Sequence, residues 1–174
     1  MDWQPKLSGR LLNLRPVVAS DWEGLFSVGS DPQVWAGHPD RDRYLLDKFR
    51  AYFEDGLSSG GALVAVEAAS GRIMGWSRYS PQFVEPNEVE IGWTFLGREW
   101  WGGVFNAEMK QLMLQHAFGV VDRVLFRIAE SNLRSRRAAE KIGATLLAER
   151  PAPVEPGSEK HLFYGIERRG FTPA

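Results

Sequence analysis

The sequence contains no cysteine. That one absence excludes disulfides, thiolate metal sites and a cysteine nucleophile together. Histidine is nearly as scarce. His38, His116 and His161 lie far apart without ligand-like spacing, so no metal site is expected. An excess of one charge is also missing: 21 Lys and Arg meet 22 Asp and Glu, for a net charge of −1. A general nucleic-acid or membrane-surface binder uses a basic excess, so neither partner is expected. No apolar run approaches the length of a membrane span. The opening MDWQPKLSGR lacks the charged-then-apolar pattern of a signal peptide, and a cytoplasmic location is the expectation. Repeats, low-complexity stretches and linker-like boundaries are absent too. The 174 residues are 44% hydrophobic, close to the soluble average, and read as one domain over 1–174.

What is present alternates between two periods. Arg10–Arg15 places Leu12 and Leu14 on one side, as a strand ended by Pro16. Ser20-Asp-Trp-Glu23 has the form of a capping box and opens a helix to about Val28. Asp31-Pro32 starts a short helical turn. Arg41–Leu57 repeats Leu46, Phe49, Phe53 and Leu57 at helical spacing. Leu63–Glu67 and Ile73–Tyr79, parted by Ser70-Gly71, read as a hairpin, and Val89–Leu96 as a third strand. A helix then runs to about Val120, with Phe105, Met109, Leu112, Met113 and Ala117 on its apolar face. Arg123–Ala129 is a strand, Leu133–Ile142 a helix with Gly143 at C′, Thr145–Glu149 a strand, 151–159 a loop and Lys160–Glu167 a last strand. The order β-α-α-β-β-β-α-β-α-β-β predicts an α/β (mixed α+β) domain. Parallel pairing is expected where a helix links two strands.

Gly92–Glu108, GWTFLGREWWGGVFNAE, is the stretch around which the chain is organised. Strand, glycine-containing loop and helix together turn backbone N–H groups and a helix dipole toward an anion, usually a phosphate. A tight turn that needs glycine for its dihedrals is the plain alternative. Neither GxxxxGK[ST] nor GxGxxG is present. A second feature points to an anion. Arg134, Arg136 and Arg137 fall in the first turn of a helix, where cations are unfavourable by a few tenths to about 1 kcal/mol each unless something anionic compensates. Pairing with Glu130 and Glu140 is the alternative.

Val89–Ala107, followed by Glu130-Ser-Asn132-Leu-Arg-Ser135-Arg-Arg-Ala-Ala-Glu-Lys141-Ile-Gly143-Ala144, resembles the GNAT superfamily of acetyl-CoA-dependent N-acetyltransferases. Within it, the chain is similar to the branch of RimJ/RimL type, the ribosomal-protein N-terminal acetyltransferases. GRLLNLRP, DWEGLFSVGSDPQVW and ASGRIMGW are similar to that branch as well. The resemblance implies a central twisted mixed sheet, splayed to bind acetyl-CoA and flanked by helices. Trp93, Thr94, Phe95 and Leu96 would pair with the pantetheine arm. Gly102, Gly103, Val104, Phe105, Asn106 and Ala107, with Arg98 and Trp101 in the same loop, would hold the pyrophosphate. Asn132 would touch the pantetheine amides, and Arg136, Arg137 or another arginine of 134–137 the adenosine phosphate. The family's loop reads Gln/Arg-x-x-Gly-x-Gly/Ala, and this chain departs from it with Glu99 and Val104.

The resemblance implies an acetyl transfer from acetyl-CoA to a primary amine, on a protein N-terminus or a small molecule. With no cysteine, direct attack in a ternary complex is the simpler scheme. Glu90 is the candidate base, because a carboxylate inside a covered sheet is costly unless it faces a wet cleft. Glu88 is the reserve. Ser135 stands near where relatives place a tyrosine acid and would position the coenzyme sulfur. Trp35, His38, Trp76 and Tyr79 are the candidate acceptor-side residues. A non-catalytic acyl-CoA-binding module is the alternative, and a homodimer is left open.

Overall fold

A computed structural model of the protein describes residues 1–150 and 159–172. The loop expected over 151–159 therefore lies almost wholly outside the described residues. Strands β1 (Leu7–Ser8), β2 (Leu12–Pro16), β3 (Ala62–Glu67), β4 (Ile73–Ser80), β5 (Glu88–Leu96), β6 (Arg123–Ala129), β7 (Thr145–Leu146) and β8 (His161–Glu167) form one sheet in the order β1-β2-β3-β4-β5-β6-β8-β7. Helices are α1 (Trp22–Gly29), α2 (Pro32–Trp35), α3 (Leu46–Ser58), α4 (Val104–Ala117) and α5 (Leu133–Lys141). No helix among the described residues is long and apolar enough to cross a membrane.

Alternation along the strands divides the core in two. Leu12, Leu14, Leu63, Ala65, Val89 and Ile91 face α4, and their neighbours Ala62, Val64, Trp76 and Phe95 face α1 and α3. On α4, Met109, Met113, Leu114 and Ala117 recur at helical spacing and are all buried. The opposite layer is aromatic: Trp22, Phe26, Phe49, Phe53, Trp35, Tyr52, Trp76 and Phe95 form a continuous network of ring contacts.

Several details differ from the sequence expectation. The first helix is not capped by Ser20 and Glu23. A short 3-10 turn, Ala19–Asp21, precedes it, and Asp21 accepts the Val18 N–H at 2.9 Å while pairing with Arg15 at 2.7 Å. The third helix begins only at Leu46, because residues 41–44 form a turn. The helix-linked strands β5 and β6 are parallel, as expected, but β6 and β7 are not neighbours. β8 enters between them, antiparallel to both. Gly143 has φ +91°, as a C′ glycine requires.

Candidate active site

The site is an opening in the sheet. β5 and β6 pair only at Glu88↔Arg123, Val89↔Val124 and Glu90↔Leu125. Beyond Glu90 the strands part, although β5 runs to Leu96 and β6 to Ala129. A β-bulge in β5 accompanies the split. Against β4 the register shifts by one residue between Arg78↔Gly92 and Trp76↔Phe95. Inside the bulge Trp93 has φ +52°, a left-handed conformation that costs a non-glycine residue about 1 kcal/mol. Two contacts hold it there: Tyr52 donates to the Trp93 carbonyl at 2.6 Å, and the Arg78 guanidinium lies 4.3 Å from its ring centre. A bulge bends its strand and steepens its twist, which carries β5 away from β6.

Glu90 sits at the last paired position, at the apex of the opening. Its residue is 2% exposed, and Oε2 has no hydrogen-bond partner among the described residues. Arg127 Nε stands 3.8 Å from Oε1, beyond a hydrogen bond, and Arg78 is engaged with Asp55 at 2.5 Å. Burial raises the Glu90 pKa to about 7, against the opposing charges of Arg127 and Arg78. Glu88, two residues earlier, is different. Burial pushes it up, but the Glu85 N–H and the Arg150 and Arg123 guanidiniums outweigh that and hold it below the usual range. Arg150 lies at 2.6 Å and Arg123 at 3.0 Å, so Glu88 is a paired structural carboxylate rather than a reserve base.

At the far end of β5, Trp101-Gly102-Gly103 leads into α4. Gly102 and Gly103 have φ of +108° and +104° with open space around them. Gly103 is the N-cap, and no side chain caps the helix. Among the described residues the N–H groups of Gly102, Gly103, Val104, Phe105 and Asn106 donate to nothing; Ala107 N–H is the first to close, onto Gly103 at 2.8 Å. With no acid in the first turn, this helix end favours an anion. Of the two departures from the expected loop pattern, one is within this helix end and the other is turned away from it. Val104 is exposed, and Glu99 pairs with Arg72 on the surface. Arg98 turns to Asp31 at 2.5 Å, so it binds the start of α2 rather than the loop's own amides. A cavity of about 590 Å³ lined by Asp31, Arg72, Arg98 and Glu99 lies there, away from Glu90.

The second motif meets the first. Arg134 in the first turn of α5 stacks 4.5 Å from the Trp101 ring centre and donates to the Val34 carbonyl at 2.9 Å. Trp101 Nε1 in turn donates to the Leu96 carbonyl at 2.9 Å. Asn132 caps α5, accepting Ser135 N–H at 3.1 Å, and is buried. The Ser135 hydroxyl has no partner among the described residues. Arg136 is committed to Tyr164 Oη and the Glu130 carbonyl, both at 3.0 Å, which removes it from a phosphate; Arg137 is exposed.

On the acceptor side three expectations are corrected. Trp35, Trp76 and Tyr79 are 1–2% exposed and belong to the core. Their polar atoms are already satisfied, by the Gly29 carbonyl, Tyr52 Oη and the Met113 carbonyl. His38 is partly buried, its ring nitrogens facing Asp40 N–H and Arg43. Burial and Arg43 pull its pKa down to about 4. Sequence reasoning missed Arg127, Tyr52 and Lys110. Only Lys110 carried a signal: it stands with Met113, Leu114 and Ala117 on the core-facing stripe of α4. Among the described residues no group of three His, Cys, Asp or Glu lies together to hold a metal.

Comparison with known proteins points the same way. The family model described as acetyltransferase (GNAT) domain matches residues 11–145. No curated protein matches the sequence significantly. Among solved structures, a GCN5-related N-acetyltransferase from Brucella melitensis superposes with a TM-score of 0.81 at 21% identity, covering 95% of this chain and 80% of that one. The acetyltransferase from Agrobacterium tumefaciens gives 0.71 at 23% identity, covering 94% of each chain. Mycobacterium smegmatis RimJ in complex with CoA-disulfide gives 0.66 at 18% identity, covering 95% of this chain and 88% of that one.

Proposed function

We propose, from the premise that this chain belongs to the GNAT acetyltransferase family, that it transfers an acetyl group from acetyl-CoA directly to a primary amine in a ternary complex. The observation that carries this reading is the opening beyond Glu90↔Leu125, with a buried carboxylate at its apex and a row of unclaimed amides at its end. Acetyl-CoA supplies the activated acyl group, and the residues named below bind and orient it. The amides of Gly102, Gly103, Val104, Phe105 and Asn106 hold the pyrophosphate, Arg134, stacked on Trp101 of the same loop, and the exposed Arg137 serve the remaining phosphate, and Asn132 and Ser135 border the thioester. The parted edge of β5 pairs with the pantetheine arm as an added strand.

Glu90 takes the proton of the attacking amine. A base is most useful with a pKa near the operating pH, and burial brings Glu90 to about 7. The acceptor enters from the α1–α3 face, where Glu90, Arg127 and His38 lie. The likeness to the RimJ/RimL branch favours a protein N-terminus over a small-molecule amine.

Calorimetry with acetyl-CoA, then thiol release over N-terminal peptides and small amines, tests the proposal. Binding with acceptor-dependent thiol release is the expected result. Binding without release for any amine would leave the non-catalytic acyl-CoA module, and no binding at millimolar concentration would end both.

A further inference from the structure

Lys110 is a charge that the fold does not explain. It projects from α4 into the core, 6% exposed. Its Nζ lies 2.5 Å from Thr94 Oγ1 on β5 and 2.9 Å from Ser77 Oγ on β4. The ring centre of Phe126 on β6 is 5.9 Å away. Thr94 and Phe126 both lie past the last β5–β6 pair, so the ammonium bonds one lip of the opening and faces the other. An ammonium has three donors, and two are used. Val89 and Ile91 face α4 while Glu90 faces away from it. Lys110 and Glu90 therefore approach the opening from opposite faces of the sheet. Among the described residues no carboxylate pairs with it, and a buried cation without such a partner is expensive and marks a candidate functional group.

We propose that Lys110 is the catalytic acid of the transfer, donating its free N–H to the coenzyme sulfur and protonating it as the thioester breaks. This rests on the transferase reading above. As the amine nitrogen–carbon bond forms and the carbon–sulfur bond breaks, Glu90 receives the proton lost by the amine. Lys110 gives one to sulfur, and the proton on Glu90 returns to Lys110 through water once products leave. Atoms and charges balance without a further reactant. Burial alone lowers the Lys110 pKa to about 7, no neighbouring charge contributing, so the group is a stronger acid than an ordinary thiol near 8.5. The groups that face it are Ser77 from β4, Thr94 from β5 and the Phe126 ring from β6.

Two measurements test this. The first needs no turnover: CoA bound to the wild type and to Lys110→Met is titrated by thiolate absorbance. The thiolate is expected about 1 pH unit or more lower beside the ammonium than beside methionine. Equal titrations overturn the proposal, whereas failure of CoA to bind either protein overturns the transferase reading beneath it. The second is the pH dependence of kcat with both substrates saturating. The wild type loses rate on the alkaline side as Lys110 deprotonates. Lys110→Arg moves that limb up by about two units or more, and Lys110→Met removes it while lowering kcat about 100-fold, with KM for acetyl-CoA within about threefold. An alkaline limb that stays put in Lys110→Arg overturns the proposal even if Lys110→Met does not fold.

Discussion

The two ends of β5 carry the same residue type in opposite circumstances. At the paired end, Glu88 is clasped by Arg123 and Arg150 and held ionised. At the parting end, Glu90 is more deeply buried, keeps one oxygen without a partner among the described residues and is pushed toward protonation. Two arginines bond Glu88, whereas Glu90 is bonded by neither of its neighbouring arginines and is the last residue that β6 accompanies. Where the ladder is complete, a buried carboxylate is neutralised and becomes structure. Where it stops, the carboxylate is left with an oxygen unpartnered among the described residues.

The sharpest way to break that contrast is to remove the two charges separately. Glu90→Gln should lower kcat by about 100- to 10,000-fold, the usual contribution of a general base, while acetyl-CoA still binds by calorimetry. The same substitution should raise stability. A carboxyl whose folded pKa lies above its unfolded value binds more protons in the native state, so its contribution is present below about pH 4.5 and is lost as pH rises through about 7. Chemical denaturation at pH 8 should find Glu90→Gln more stable than the wild type by roughly 3 kcal/mol, and the difference should vanish near pH 4. A kcat unchanged by Glu90→Gln would remove the base from the apex.

Glu88→Gln should do the reverse. It breaks a pair whose arginines keep some solvent contact, so a loss of about 2 kcal/mol is expected, less than the roughly 3 to 5 kcal/mol of a fully buried pair. Because the Glu88 pKa is depressed, its stabilisation is present above the unfolded value and is lost as pH falls through the folded one; the deficit of the variant should shrink in acid. Turnover per folded molecule should remain near wild type. A variant as inactive as Glu90→Gln would show that the paired end also takes part in the chemistry.

Much of this site was legible in the sequence and part was hidden. The loop at 102–103 and the arginines after Asn132 are local signals, since glycine and misplaced cations announce their own geometry. Glu90 was visible because a charge in an apolar strand demands a reason. The bulge at Trp93 was not, because tryptophan gives no hint of a left-handed backbone, and the contacts that hold it come from Arg78 on β4 and from Tyr52, 41 residues away. Trp35, Trp76 and Tyr79 misled for a related cause. An aromatic residue with a polar tip suits a core or a pocket equally, and which one depends on whether a distant partner meets the tip. β8 intruding between β6 and β7 is likewise a tertiary choice that the strand order along the chain does not encode.

Smaller effects should come from the amide row at the other end of β5. Gly103→Ala puts a Cβ on a residue with φ +104°, and the space around it is open, so the penalty is backbone strain alone. The helix N-terminus should relax and its amides turn. Affinity for acetyl-CoA should fall by about 1 to 2 kcal/mol, roughly 5- to 30-fold in Kd, with kcat at saturation nearly unchanged.

The smallest expected effect belongs to Arg134, and it decides whether the two motifs are coupled or merely adjacent. Its stacking on Trp101 and its bond to Val34 join α5, the loop and α2 across the mouth of the opening. Covering of the guanidinium lowers its pKa, so in the free protein it gives up some hydration for a ring and one carbonyl. An exposed cation–π contact is worth about 0.5 to 1 kcal/mol, and a phosphate offers it a charge-assisted bond instead. Arg134→Ala should therefore weaken acetyl-CoA by about 1 kcal/mol, with the loss shrinking as salt is raised. Trp101→Ala should remove the stack without removing the cation. If Arg134 leaves the ring to meet the coenzyme, Trp101→Ala will bind acetyl-CoA as tightly as the wild type or more so, and tryptophan fluorescence of the wild type will change on binding. Equal losses from both substitutions would instead mean that the stacked pair is itself part of the binding wall.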